Sequence, residues 1–118
     1  MKVREIMSIL NAQLITGETR LDMDIKTACG SDLMSDVLAF VKDRSVLITG
    51  LVNPQVVRTA EMMDIRCIVF VRGKEPTEQV IDLATEHDIV LMKTEYRMYV
   101  ACGLLYAKGL IGDGDCNE

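Results

Sequence analysis

The 118-residue sequence predicts an α/β fold: a three-layer-like parallel β-α-β-α-β-α core preceded by a helix, two short strands and a second helix. Two observations carry the prediction. Val46-Leu47-Ile48-Thr49-Gly50, Cys67-Ile68-Val69-Phe70-Val71 and Ile89-Val90-Leu91-Met92 are short runs, apolar at consecutive positions, which suits strands covered on both faces. Their centres recur about every 21 to 22 residues, the length of a strand, a crossover helix and two short loops. Such crossovers are right-handed almost without exception, so the second half reads as a parallel sheet with helices packed over it.

The elements follow in order. Val3, Ile6, Met7 and Leu10 share one stripe at i, i+3, i+4, i+7 spacing, which predicts a short amphipathic helix. Gln13-Leu14-Ile15-Thr16, stopped by Gly17, reads as a strand. So do Met23, Ile25 and Thr27, alternating with Asp22, Asp24 and Lys26 ahead of Cys29-Gly30; both have the period of a strand with one wet face. The acidic alternation also discourages edge pairing with another chain. Ser31 or Asp32 is placed to cap a helix running through Leu33, Met34, Val37, Leu38 and Val41 and ending near Lys42 to Arg44. Two helical patterns lie between the apolar runs, each with a proline at or near its first turn: Pro54 before Val56, Val57, Ala60 and Met63, and Pro76 before Val80, Ile81 and Ala84. A last helix, with Thr94 as its cap, carries Tyr96, Tyr99, Val100, Gly103, Leu104 and Ala107. Residues 1–110 are expected to form a single domain. Residues 111–118 have nothing to bury and read as a flexible acidic tail.

Composition narrows the function classes. A net charge of −5 argues against nucleic acid, whose binding rests on Lys and Arg displacing counterions. No apolar run reaches the roughly 18 residues that span a bilayer, and Met1-Lys2-Val3-Arg4-Glu5 lacks the apolar stretch of a signal peptide. A cytoplasmic location with no membrane contact is therefore expected. Cys29, Cys67, Cys102 and Cys116 form no C-x-x-C pair, so they read as reduced thiols rather than a zinc or redox motif. The pairs Asp22/Asp24, Asp32/Asp36 and Asp113/Asp115 read as wet faces, and no metal site or cofactor is expected. His87 falls at a helix end, where a cation suits the macrodipole. No nucleophile, base and orienting group can be assembled, so no catalytic residue is expected. Eight methionines against two phenylalanines point to an adaptable core or interface.

In a parallel sheet, ligands gather at the carboxyl ends of the strands, where loops converge and helix N-termini point free N–H groups. That rule selects Thr49, Gly50 and Asn53 after the first apolar run, Arg72, Gly73 and Lys74 after the second, and Lys93 and Thr94 after the third. Backbone amides, two glycines and three cations suit a phosphate or carboxylate. The competing local reading gives Gly50 and Gly73 to tight turns, Asn53 and Thr94 to helix caps, and the cations to solvent. Neither glycine belongs to a G-x-G-x-x-G or G-x-x-x-x-G-K-[ST] signature.

From Val3 to about Leu110 the chain resembles the DRTGG domain in its short stand-alone form. The resemblance rests on Val3-Arg4-Glu5-Ile6 with Leu14-Ile15-Thr16-Gly17, on Ser31-Asp32-Leu33-Met34-Ser35-Asp36-Val37-Leu38-Ala39, on Val46-Leu47-Ile48-Thr49-Gly50, and on Ile68-Val69-Phe70-Val71-Arg72-Gly73-Lys74-Glu75-Pro76. It implies a fold like the N-terminal domain of HPr kinase/phosphorylase and a regulatory or assembly role rather than catalysis. Relatives occur inside phosphotransacetylases and between the paired CBS modules of regulated family II pyrophosphatases, where the domain helps form a dimer. The name-giving residues differ here: Val52-Asn53-Pro54 stands where the family often has Asp-Arg, and Val71-Arg72-Gly73 where it has Thr-Gly-Gly. The resulting expectation is a non-catalytic regulatory module that forms a homodimer and binds a small anionic metabolite or nucleotide at the loops above. The alternative is a protein-interaction adaptor that docks on a separately encoded metabolic enzyme without a small-molecule ligand. A small phosphotransfer activity ranks last, because the chain has no P-loop.

Overall fold

Strands with no polar face need helices on both sides, and the molecule supplies them in three layers. The computed structural model describes residues 1–40 and 44–112. Along the chain run α1 (Val3–Ile9), β1 (Gln13–Thr16), β2 (Thr27–Gly30), α2 (Met34–Phe40), β3 (Ser45–Thr49), α3 (Pro54–Met62), β4 (Cys67–Phe70), α4 (Glu78–Glu86), β5 (Val90–Lys93) and α5 (Met98–Ala107). The sheet order is β1-β5-β4-β3-β2. β2 to β5 are mutually parallel, and β1 closes the β5 edge antiparallel.

The chain steps from β2 to β5 in one direction across the sheet, so crossovers of one hand put α2, α3 and α4 on the same face. There Val56, Val57, Ala60, Val80 and Ala84 pack on Leu47, Ile68, Phe70 and Leu91. The alternate side chains of the same strands, Val46, Ile48, Cys67, Val69, Val90 and Met92, point the other way. They are covered by Val3, Ile6 and Leu10 at the start of the chain and by Ala101 and Leu105 of α5. Every residue of β3 and β4 is buried, which is why their sequence shows no alternation. Pro54 occupies the first turn of α3. Pro76 lies just ahead of Thr77, whose hydroxyl caps α4 by accepting from Val80 N at 3.4 Å.

Three local features differ from the pattern read in the sequence. β2 begins only at Thr27, because residues 22–25 pair with the amino-terminal segment and the start of α1 instead of entering the sheet. Asp24 bridges Lys2, Ile25 N donates to Met1 O at 2.7 Å, and the terminal amine donates to Ile25 O at 3.0 Å. The hydrogen bond and charge of Arg4 hold the Asp22 carboxyl below its ordinary range, and those of the amino terminus do the same for Asp24. Second, α5 starts at Met98 with Arg97 in the cap position, so Thr94 does not cap it. Third, Ile111 and Gly112 lie beside β2: Ile111 O accepts from Ala28 N at 3.0 Å and Gly112 bridges Ala28. As the sequence indicates, Gly17 ends β1; it turns the chain at φ +105°, where a Cβ would stand 2.8 Å from Val90 Cγ2. Val41 and Lys42, expected at the end of the second helix, and residues 113–118 of the expected tail lie outside the described residues.

Candidate functional site

Because β2 to β5 are parallel, the segments that follow them emerge at one end of the sheet. Lateral bonds extend the ladder beyond the strands: Ser31 N donates to Ile48 O at 3.0 Å, Val71 N to Thr49 O at 3.1 Å, and Thr94 N to Phe70 O at 2.9 Å. Four loops are thereby held edge to edge.

After β2, Ser31 Oγ accepts from Leu33 N at 3.0 Å and makes the local turn. The Asp32 carboxylate is left to reach across to the neighbouring strand, where its Oδ1 accepts from Gly50 N at 2.6 Å and from Thr49 Oγ1 at 3.0 Å. Thr49 and Gly50 are buried. A Cβ on Gly50 would stand 2.8 Å from Arg72 Nη2 and 3.4 Å from both Asp32 carboxylate oxygens. The guanidinium and the carboxylate thus both lie against the face of Gly50 that a side chain would occupy.

After β4 the chain turns through two successive left-handed residues, Arg72 at φ +60° and Gly73 at φ +65°. Their amides donate to the loop after β5, Arg72 N to Tyr96 O and Gly73 N to Thr94 O, both at 2.8 Å. A Cβ on Gly73 would stand 2.7 Å from Glu95 Oε1. Thr94 is 2% exposed. Its hydroxyl donates to Leu10 O at 2.8 Å and accepts from Tyr96 N at 3.3 Å, tying this loop to the end of α1. Lys93 pairs with Glu75.

Of the eight residues selected from sequence, Thr49, Gly50, Arg72, Gly73, Lys93 and Thr94 fall in this linked set. Lys74 lies on the outer turn after β4 and Asn53 at the entry to α3; both are exposed, and Asn53 makes no capping bond. Sequence reasoning missed the carboxylates. Asp32 sits on the Gly50 amide, Glu95 beside Gly73, and Glu75 on Lys93. Three of the groups expected to receive an anion, the Gly50 amide, Gly73 and Lys93, thus have one of the protein's own carboxylates against them. The available signal was positional: an Asp two residues beyond a strand, next in the sheet to a Thr-Gly strand end.

Among the described residues, neither the buried Cys67 thiol nor the His87 imidazole offers support for nucleophilic chemistry. Burial pushes the Cys67 thiol up to about 12, away from the reactive thiolate. His87 Nδ1 lies 3.8 Å from Glu61 Oε2 at the opposite end of the sheet. That end also carries concave depressions of about 270 Å³, lined by residues including Glu61, Arg66 and His87, and about 320 Å³, lined by residues including Asp24, Arg44 and Arg66. Arg66 there is already paired with Asp64 at 3.0 Å. The carboxyl end remains the candidate because it alone gathers the loops of all four parallel strands. Among the described residues, no group of three or more His, Cys, Asp and Glu is placed to hold a metal ion, and no helix is long and apolar enough to cross a membrane.

A five-stranded mixed sheet between two helical layers, with interlocked loops at the carboxyl ends of its parallel strands, defines a small three-layer α/β domain. A family model described as the DRTGG domain matches residues 5–106, and the chain belongs to that family. No curated protein matches it. Among solved structures it is similar to the CBS and DRTGG domains of the regulatory region of Clostridium perfringens pyrophosphatase, complexed with the activator diadenosine tetraphosphate. The two share 12% sequence identity at a TM-score of 0.69, over 97% of this chain and 51% of that one. This chain spans about half the length of that structure, and at such low identity the likeness carries the fold.

Proposed function

We propose that this protein is a non-catalytic regulatory module that senses a small anionic metabolite or nucleotide at the carboxyl ends of β3, β4 and β5, and that it works as a homodimer. The observation that carries the reading is the arrangement at Gly50, with Asp32 on its amide and the Arg72 guanidinium against the same residue where a side chain would stand. A backbone amide and a cation already organised around one carboxylate suit a second anion in the same place. Family membership supports a regulatory role, and the solved relative is a regulatory region bound to a nucleotide activator. Arg72, Gly73, Lys74 and Lys93 line the ligand, and Thr49, Gly50, Asn53 and Thr94 shape the loops around it.

The test is thermal unfolding of the purified protein against adenine, guanine and uridine nucleotides, dinucleoside polyphosphates and acyl phosphates at millimolar concentration. A ligand at 100 times its Kd stabilises the fold by roughly 2.7 kcal/mol, a shift of several degrees in a domain this small. The expected result is a shift with one chemical class that is lost in Lys74→Glu, an exposed position that leaves the fold alone. No shift across the panel overturns the sensing reading.

A further inference from the structure

Among the described residues, α5 is the one helix whose exposed face carries no charge. α3 and α4 present Arg58 and Glu61, and Glu78, Asp82 and Glu86, to solvent, whereas Met98–Ala107 contains no charged residue at all. A helix that is apolar all round normally has both sides covered. Here Ala101 and Leu105 pack on the sheet, while Tyr99 is 90% exposed, Tyr106 60% and Val100 44%. Tyr96, 39% exposed, continues the stripe ahead of the helix. The chain has three tyrosines and no tryptophan, so all of its tyrosine lies on this face. Gly103 sits in the middle, with open space where a Cβ would point.

We infer that the outward face of α5 is the surface on which a second copy of this chain docks, helix against helix across Gly103. This rests on the dimer reading above and gives it a location. The face is self-complementary: Tyr99 and Tyr106 stand four and three residues to either side of the glycine, so antiparallel helices related by a two-fold axis place the tyrosines of each over the shallow Gly103 of the other. A tyrosine side chain carries roughly 150–250 Å², so the three tyrosines expose roughly 300–450 Å². With Val100 and the bare Gly103 backbone each copy presents close to 500 Å², and pairing removes on the order of 1,000 Å², the size at which specific interfaces begin. The patch carries no charge, so the net −5 of each copy is not concentrated at the contact.

The experiment is light scattering on the full chain at tens of micromolar, for the wild type, Tyr99→Glu and Gly103→Glu, with far-UV circular dichroism to show that each variant is folded. Acrylamide quenching of tyrosine fluorescence, which reports on this face alone, runs alongside. The expected result is a wild type at twice the 13.2 kDa chain mass, with quenching that rises on dilution, and folded variants at the single-chain mass whose quenching is independent of concentration. A dimeric wild type whose two variants stay dimeric overturns the α5 location and leaves the dimer reading standing. A monomeric wild type overturns both. Should a variant unfold, concentration-dependent quenching of the wild type still decides the matter, since a dimer formed elsewhere leaves the tyrosines equally accessible.

Discussion

Asp32→Ala isolates the contact on which the candidate site is built. The substitution removes the acceptor of two hydrogen bonds, from Gly50 N at 2.6 Å and Thr49 Oγ1 at 3.0 Å. Hydrogen bonds to a charged group contribute about 1.5–3 kcal/mol, and a buried donor left unpaired costs about 1–3 kcal/mol. Thr49 and Gly50 are buried but Asp32 itself is exposed, so water replaces part of what is lost and the sum falls near the lower end, about 1.5–3 kcal/mol. In a domain of this length that lowers Tm by roughly 5–15 °C. Asp32→Asn keeps a neutral oxygen acceptor and costs about half as much, because only the charge-assisted part of the bonds is lost. Scanning fluorimetry with urea titrations reads both variants. Acetate at tens of millimolar should restore Asp32→Ala more than it stabilises the wild type, because a free carboxylate can occupy the vacated place beside Gly50 N. An Asp32→Ala protein within about 0.5 kcal/mol of wild type, the range of an ordinary surface substitution, or one that acetate does not restore, refutes the reasoning.

Three further substitutions test the frame around the site. Gly17→Ala forces a side chain into φ +105° against Val90, with Cα of Val90 only 2.9 Å from the new Cβ, and should cost about 2 kcal/mol or more; an effect below a quarter of that in urea unfolding contradicts the geometry. Arg44→Gly relieves a long side chain held at φ +62° and should raise stability by about 0.5–1 kcal/mol, read as a Tm gain of a few degrees, whereas a loss would show that the left-handed turn is not strained. The Cys67 thiol is pushed from 9.0 to about 12 by burial. The folded state therefore keeps a proton that the unfolded chain releases above about pH 9, and stability falls as pH rises, by on the order of 1.4 kcal/mol per unit. Cys67→Ala should make that alkaline slope shallower; an unchanged slope in unfolding midpoints between pH 9 and 11 counts against it.

The parts of the fold that were legible in sequence are those whose burial is uniform. β3 and β4 are buried at every position, and a strand with helices on both sides can only be written as an unbroken apolar run. Their spacing then sets the crossover helices, and the carboxyl-end rule brought six of the eight selected residues into one linked set. What stayed hidden depended on partners far away in the chain. Thr94 has the composition of a helix cap, yet its hydroxyl serves Leu10 O, 84 residues away in sequence. Asp22 to Ile25 continue the alternation of a strand, but their partner is the amino-terminal segment rather than a neighbouring strand. Asp32 reads as a cap because Ser31 and Asp32 stand together ahead of an apolar stripe; which of the two makes the local turn, and which reaches the next strand, is settled only when Thr49 and Gly50 arrive beside them.

The two surfaces singled out here share one loop. Arg72, beside Gly50, donates its amide to Tyr96 O, and Tyr96 is the first residue of the exposed tyrosine stripe. Thr94, between the strand and that tyrosine, is buried and bonded to the end of α1, so the loop has little freedom to absorb a displacement at its other end. On the proposed reading, an anion that exchanges with Asp32 and draws on the Arg72 guanidinium acts one hydrogen bond away from the face on which α5 would meet its copy. Linkage makes the consequence reciprocal: whatever factor ligand occupancy introduces into the dimer constant, dimerisation introduces into ligand affinity. A sensing site and an assembly face joined in this way need no catalytic group to regulate an enzyme. On the proposed reading, their output is the change in pairing itself.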